Sequence, residues 1–224
     1  MKLNYSLLLL VLLGLSSFMT TPDSSVWENV QLIGANSKSV FSLNVLRYNS
    51  GSYYRSVDSL FVVEKNLMTG SLIERRPLKT VEFYQDPDST SYVLTETYSK
   101  PFDLIAYQKD NDIEFLFKDG ISDLLKFTNE GLYIVDGTIK ELVMDKQTVL
   151  KFMNIENKAF NGQEKFHISL AYSHPQYLIL IVDYGTCSSD EDFLQAIVSI
   201  PDDQYHNALS SYWDQINKLR KNEF

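Results

Sequence analysis

Short runs of apolar, aromatic and β-branched residues follow one another along this chain, punctuated by glycine-containing turn pairs. That rhythm constrains the fold more than any other feature. Residues 40–48 alternate, placing Phe41, Leu43 and Val45 on one face of an extended segment. Residues 60–63 are apolar throughout and read as a more deeply buried strand. Strand-like runs then recur at 71–75, 80–84, 92–98, 102–107, 113–117, 121–127, 132–135, 139–144, 149–153, 166–172, 177–184 and 193–200. Between them, Asp119-Gly120, Asp136-Gly137 and Asn161-Gly162 can take the positive backbone angles of tight hairpins, and Thr69-Gly70 and Glu130-Gly131 supply glycines for similar bends. The expected fold is mainly β: an antiparallel meander arranged as a degenerate propeller-like body, a sandwich or a barrel.

The period changes at the end of the chain. Tyr205, Leu209, Tyr212, Trp213, Ile216 and Leu219 fall at steps of three and four, which predicts one C-terminal amphipathic α-helix over 202–221. Pro201, Asp202 and Asp203 suit its positive N-terminal end, and Lys218, Arg220 and Lys221 suit its negative C-terminal end. Its apolar stripe is expected to pack on the β body.

The beginning of the chain has a different character. Lys2 precedes an apolar run at residues 7–15 (LLLLVLLGL), and small residues Gly14 and Ser16 follow or close it. This is the pattern of a secretory signal peptide over 1–19, followed by a linker over 20–25 and a single β-rich domain over 26–224. The run is shorter than the ~18–20 residues a spanning helix requires, so no stable membrane span is expected. The predicted location is the periplasm or the outside of the cell. The formal charge is −9, and loss of Lys2 with the leader takes it near −10. Such a chain repels phosphate backbones, so nucleic acid is not an expected partner. Cys187 is the single cysteine and has no internal disulfide partner; it reads as a small buried hydrophobe, with a free thiol or an intermolecular link as the alternatives.

A search for chemistry yields no nucleophile elbow, no zinc helix of the His-Glu-x-x-His type and no phosphate-cradling glycine loop. With three histidines and one cysteine, soft metal ligands are scarce, and neither a catalytic set, a metal nor a cofactor is expected. His174 with Cys187 and Asp183 or Asp190 can be drawn as a nucleophile pair, but no spacing demands it. The acidic groups Asp86/Asp88, Asp110/Asp112 and Asp190/Glu191/Asp192 lack a full calcium-loop pattern and read as solvated hairpin tips. His167 is expected on an exposed strand face with Ser169 and Ala171. The most suggestive surface is residues 48–55 (YNSGSYYR), where Tyr53, Tyr54 and Arg55 offer contacts to a protein or a glycan. The expected function is a non-enzymatic binding or envelope-associated scaffold role. The alternatives are an exported hydrolase using paired carboxylates and a carrier of a small ligand.

Residues 59–78 (SLFVVEKNLMTGSLIERRPL) combine an apolar strand, an Asn-x-x-Thr-Gly turn carried by Asn66, Thr69 and Gly70, and a second strand. This resembles the outer hairpin of a blade in uncharacterised exported bacterial β-propeller-like proteins. Residues 131–144 are a looser echo about 70 residues on, against a usual blade repeat of ~40–50. The resemblance implies a propeller-like arrangement of hairpins and no particular activity. Trp213-Asp214 lies on the predicted helix and at no repeat position.

Overall fold

The computed structural model describes residues 25–50, 55–85, 92–99, 101–154, 165–185 and 194–222. It is mainly β, in antiparallel sheets, with a helix at the C-terminal end. The first five strands are β1 (Ser25–Ala35), β2 (Ser39–Ser50), β3 (Arg55–Asn66), β4 (Leu72–Gln85) and β5 (Tyr92–Tyr98). They pair in chain order as a meander, the amino-terminal sheet. A central sheet has the order β12-β11-β10-β6, from β6 (Phe117–Lys118), β10 (Lys165–His174), β11 (Tyr177–Gly185) and β12 (Leu194–Pro201). A third sheet is the meander β7 (Leu125–Thr128), β8 (Gly131–Asp136) and β9 (Ile139–Asp145).

The central sheet is the middle layer, and its strand β11 shows why. Residues 178–182 are all buried, which requires cover on both faces. Ile179 and Ile181 meet Val30, Ala35, Val40 and Leu67 of the amino-terminal sheet and its β3–β4 turn. Leu178, Leu180 and Val182 point the other way, into a larger cluster with Leu132, Ile134, Met144, Phe152 and Tyr205. The helices cover what remains. Helix α1 (Leu104–Asp110) closes the outer face of the amino-terminal sheet, where Tyr107 packs with Ile33, Phe41 and Val62. Helices α2 (Lys146–Met153) and α3 (Asp202–Asn222) close the far side of the central sheet.

Helix α3 matches the predicted 202–221 span. Tyr205 and Tyr212 are buried and Leu209 and Ile216 partly so. Trp213 and Leu219 are half exposed, and the buried place beside Tyr205 and Tyr212 belongs to Ala208. The Tyr212 hydroxyl donates to Asp136 at 2.8 Å, and Gln204 Nε2 donates to the Val143 carbonyl at 2.5 Å. These bonds tie the helix to the third sheet.

Two predicted strands are helices. Over 102–107 the alternation is broken by Asp103, whose carboxylate accepts from the backbone N–H groups of Ile105 and Ala106 and caps α1. Over 149–153 the apolar residues Val149, Leu150 and Met153 lie on one helical face, and Asp145 caps α2 by accepting from Thr148. Two other runs are strands only in part. Of residues 113–117, Glu114 forms an isolated bridge with Ala35 and only Phe117 enters β6. Of residues 121–127, the start belongs to a 3-10 turn (Gly120–Asp123), so Asp119-Gly120 opens that turn and not a hairpin. The strand β1 was not anticipated, and the last residue of the predicted linker, Ser25, belongs to it. Asp136-Gly137 does turn β8 into β9, with Gly137 at φ 57°. Asn161-Gly162 lies outside the described residues.

Candidate functional site

The blade-like motif lies at a junction. Asn66 Oδ1 accepts from the N–H groups of Met68 and Thr69 and from the Thr69 hydroxyl, and the Gly70 N–H donates to the Asn66 carbonyl. Gly70 sits at φ 68°, and a Cβ there would fall 2.8 Å from Phe152 Cα. The glycine therefore serves both the turn and the close approach of α2. Leu67 is fully buried against the central sheet. The β3–β4 turn is thus clamped between α2 and the central sheet. The echo at residues 131–144 forms β8 and β9, in the third sheet.

A groove of about 430 Å³ opens beside this turn, walled by the amino-terminal sheet, the end of α2 and strands β11 and β12. Its floor is polar and satisfied. The Ser42 hydroxyl donates to Asn44 Oδ1 at 2.6 Å, and Asn44 Nδ2 donates to Glu28 Oε1 at 2.8 Å. Gln195 joins the walls: its Oε1 accepts from the Val30 N–H at 2.7 Å and its Nε2 donates to Asp183 Oδ1 at 2.7 Å. Above the floor stand Lys65, Arg75 and Lys151. Burial holds the Lys65 ammonium below its usual pKa, and the charge of Glu28 acts in the opposite sense. Burial, with a further push from Glu28, raises the Tyr184 phenol to about 12. The Arg75 guanidinium lies over the Phe61 ring, 3.9 Å from its centroid.

No residue pattern in the sequence marks this groove as a cavity. The alternation in β2 was read with Phe41, Leu43 and Val45 as the apolar face. Phe41 and Leu43 do pack under α1, whereas Val45 is 38% exposed because α1 covers only the near part of the sheet. The opposite face carries Ser42 and Asn44, which look solvated by type and are buried. A pair of small polar residues between Val40 and Leu46 was the available signal.

The far end of the amino-terminal sheet is a second candidate. Here β1 begins, β2 ends, β3 begins, and β4 pairs with β5. Val45, Leu94 and Tyr98 are 38%, 56% and 64% exposed, and Tyr48 and Tyr84, in register with the other face, are 44% and 45% exposed. Each adjacent pair of strands from β2 to β5 carries a cross-strand ion pair: Arg47 with Asp58 at 2.7 Å, Arg55 with Glu82 at 2.6 Å, and Lys79 with Glu96 at 2.8 Å. The bonds between Lys79 and Glu96 raise the lysine pKa and lower that of the acid. Arg55 is exposed and engaged with Glu82. Tyr53 and Tyr54 lie outside the described residues, in the β2–β3 connection.

The remaining candidates disperse. His174 is the last residue of β10, at the turn into β11, where its Nδ1 accepts from the Gln176 N–H at 3.2 Å. Burial lowers its pKa against the pull of Glu114 and a backbone bond to Asn36. Asp183 pairs with His167 at the other end of β11, while His174 pairs with Tyr177. Six residues of strand put these ends about 20 Å apart, so Asp183 cannot orient His174. Cys187, Asp86/Asp88 and Asp190/Glu191/Asp192 lie outside the described residues. Among the described residues no three His, Cys, Asp or Glu side chains form a group able to hold a metal ion. His167 is exposed as expected, but a bulge between Ile168 and Leu170 turns Ala171 into the core. No described helix is long and apolar enough to cross a membrane. No protein-family model matches the chain, and neither a curated protein nor a solved structure matches it.

Proposed function

We propose that this is an exported, non-enzymatic binding protein of the envelope-associated scaffold kind, and that a protein partner docks on the far end of its amino-terminal sheet. The observation that carries the reading is the half-covered meander. Strands β2, β3 and β4 run 12, 12 and 14 residues, yet α1 and the central sheet cover only their near halves. Beyond that cover, large apolar side chains emerge on both faces, an arrangement that marks interaction surfaces in soluble proteins. Strand β5 adds an edge that pairs with β4 alone among the described strands, the geometry that accepts an added strand from a partner. Arg55, the first residue of β3, lies at the same end, and Tyr53 and Tyr54 precede it in the chain.

Export is supported by the leader pattern over residues 1–19. Of the three β architectures open to the sequence, the packing of Val30, Val40 and Leu67 on Ile179 and Ile181 supports a sandwich. The groove's described lining contributes one carboxylate, Glu28, so it does not favour the two-acid hydrolase.

The test is native mass spectrometry on protein gently extracted from its producing cells, with envelope and medium kept apart. The expected result is a leaderless chain carried in a larger assembly. A Tyr53→Ala/Tyr54→Ala variant and a Tyr48→Ala/Tyr84→Ala variant should be released as bare chain, with unchanged circular dichroism. Recovery of the unaltered protein only as a free monomer, or variants that keep the assembly, would sink the proposal.

A further inference from the structure

We propose that the groove beside the β3–β4 turn binds a small organic anion, gripping its carboxylate or phosphate oxygens with Lys65, Arg75 and Lys151. Three observations converge on this site. The first is the reversal of charge. The chain carries a formal −9, yet the groove's described lining gathers three cations around one acid. That acid, Glu28, already accepts a hydrogen bond from Asn44. Cations brought together in one recess repel one another, and a bound anion offsets that repulsion.

The second is that, among the described residues, no hydrogen bond or ion pair engages the charged groups of these cations. Lys65 is half-buried, and no hydrogen bond or ion pair reaches its ammonium among the described residues. A partly desolvated ammonium without an acceptor is costly, and an incoming oxyanion offsets that cost. Arg75 has one face on Phe61, and no described acceptor takes its N–H groups, which leaves the fork for a planar anion.

The third is shape. The groove's 430 Å³ lies within the range of small-molecule sites, roughly 300–1,000 Å³. Asn44, Gln195 and Tyr184 supply polar groups along the floor and walls, and Val63, Leu72 and Met153 supply apolar surface. A body bearing hydroxyl groups and one anionic end fits this lining.

The experiment is a thermal-shift and calorimetric titration of the purified chain with glucuronate, glucose 6-phosphate, inorganic phosphate and glucose, each against sodium chloride at equal ionic strength. At least one of the anions should raise the melting temperature beyond the salt control, and the preferred arm identifies a carboxylate or a phosphate. Lys65→Met and Arg75→Gln should each weaken that binding about tenfold or more, the loss expected for a charged hydrogen bond. Lys65→Met should itself melt higher than the unaltered protein in the absence of ligand, because it removes a partly desolvated ammonium. Lys126→Met, an exposed lysine outside the groove, should change neither. No shift beyond the salt control with any anion, a shift that both groove variants retain, or an equal response to glucose would overturn the assignment.

Discussion

At the scale of single residues, the least comfortable group in the core is the Tyr205 hydroxyl. It is buried with no hydrogen-bond partner among the described residues, and burial, with the charges of Asp119 and Asp202, pushes the phenol up to about 12. An unsatisfied buried hydroxyl costs about 1–3 kcal/mol, so Tyr205→Phe should stabilise the fold by about 1 kcal/mol. Chemical denaturation reads this directly, and a loss of stability would mean the hydroxyl has a partner after all. This residue was legible from helical spacing, whereas Asn44 and Ser42 were not. Alternation reveals which side chains share a face, but not whether that face meets water or another sheet. Small polar residues are normally solvated, so β2's second buried face passed as a surface. Ala171 shows the same limit in another form: a bulge in β10 changes the phase of the pattern without leaving a mark in residue type.

At the scale of elements, the strands and the long helix were readable because their apolar spacing persists over many residues. Helices α1 and α2 were not, because seven or eight residues hold too few turns to separate the two periods. Their caps carry the information that the spacing lacks. Asp145 accepts from both the Thr148 N–H, at 3.0 Å, and its hydroxyl, at 2.7 Å, and these bonds hold its carboxyl below the usual value of 3.8. Asp145→Ala should cost about 1 kcal/mol, the usual worth of an N-cap. The pH dependence follows from the lowered pKa. The folded state binds this proton less readily than the unfolded state, so the cap's contribution is complete above about pH 4 and is lost as the pH falls through the folded value. Asp145→Asn keeps the cap geometry and should flatten that part of the acid limb. Unfolding curves between pH 5 and pH 2 for the unaltered protein and Asp145→Asn would show a common slope if the cap does not titrate with folding.

At the scale of the whole molecule, the layered arrangement explains how one meander serves two purposes. The near half of the amino-terminal sheet is built into the core through Val30, Val40 and Leu67 on one face and Phe41 and Val62 on the other. The far half continues past that cover and is held by cross-strand ion pairs that are worth little individually in water. Chain order made the meander itself readable, since antiparallel neighbours need only short turns. Which sheet covers which is a long-range property carried by Gln195, Leu67 and Ile181, and no local pattern announces it. The account stands or falls on the far half being covered by another protein. A photo-activatable residue placed at Leu94 or Tyr98 in the producing cell, compared with one at Lys218 on the exposed side of α3, tests it most directly. The account predicts one discrete adduct from the β5 positions and none from α3, with an adduct of twice the chain mass identifying a second copy as the partner. Crosslinks that are absent from β5, or that form equally at all three positions, would contradict it.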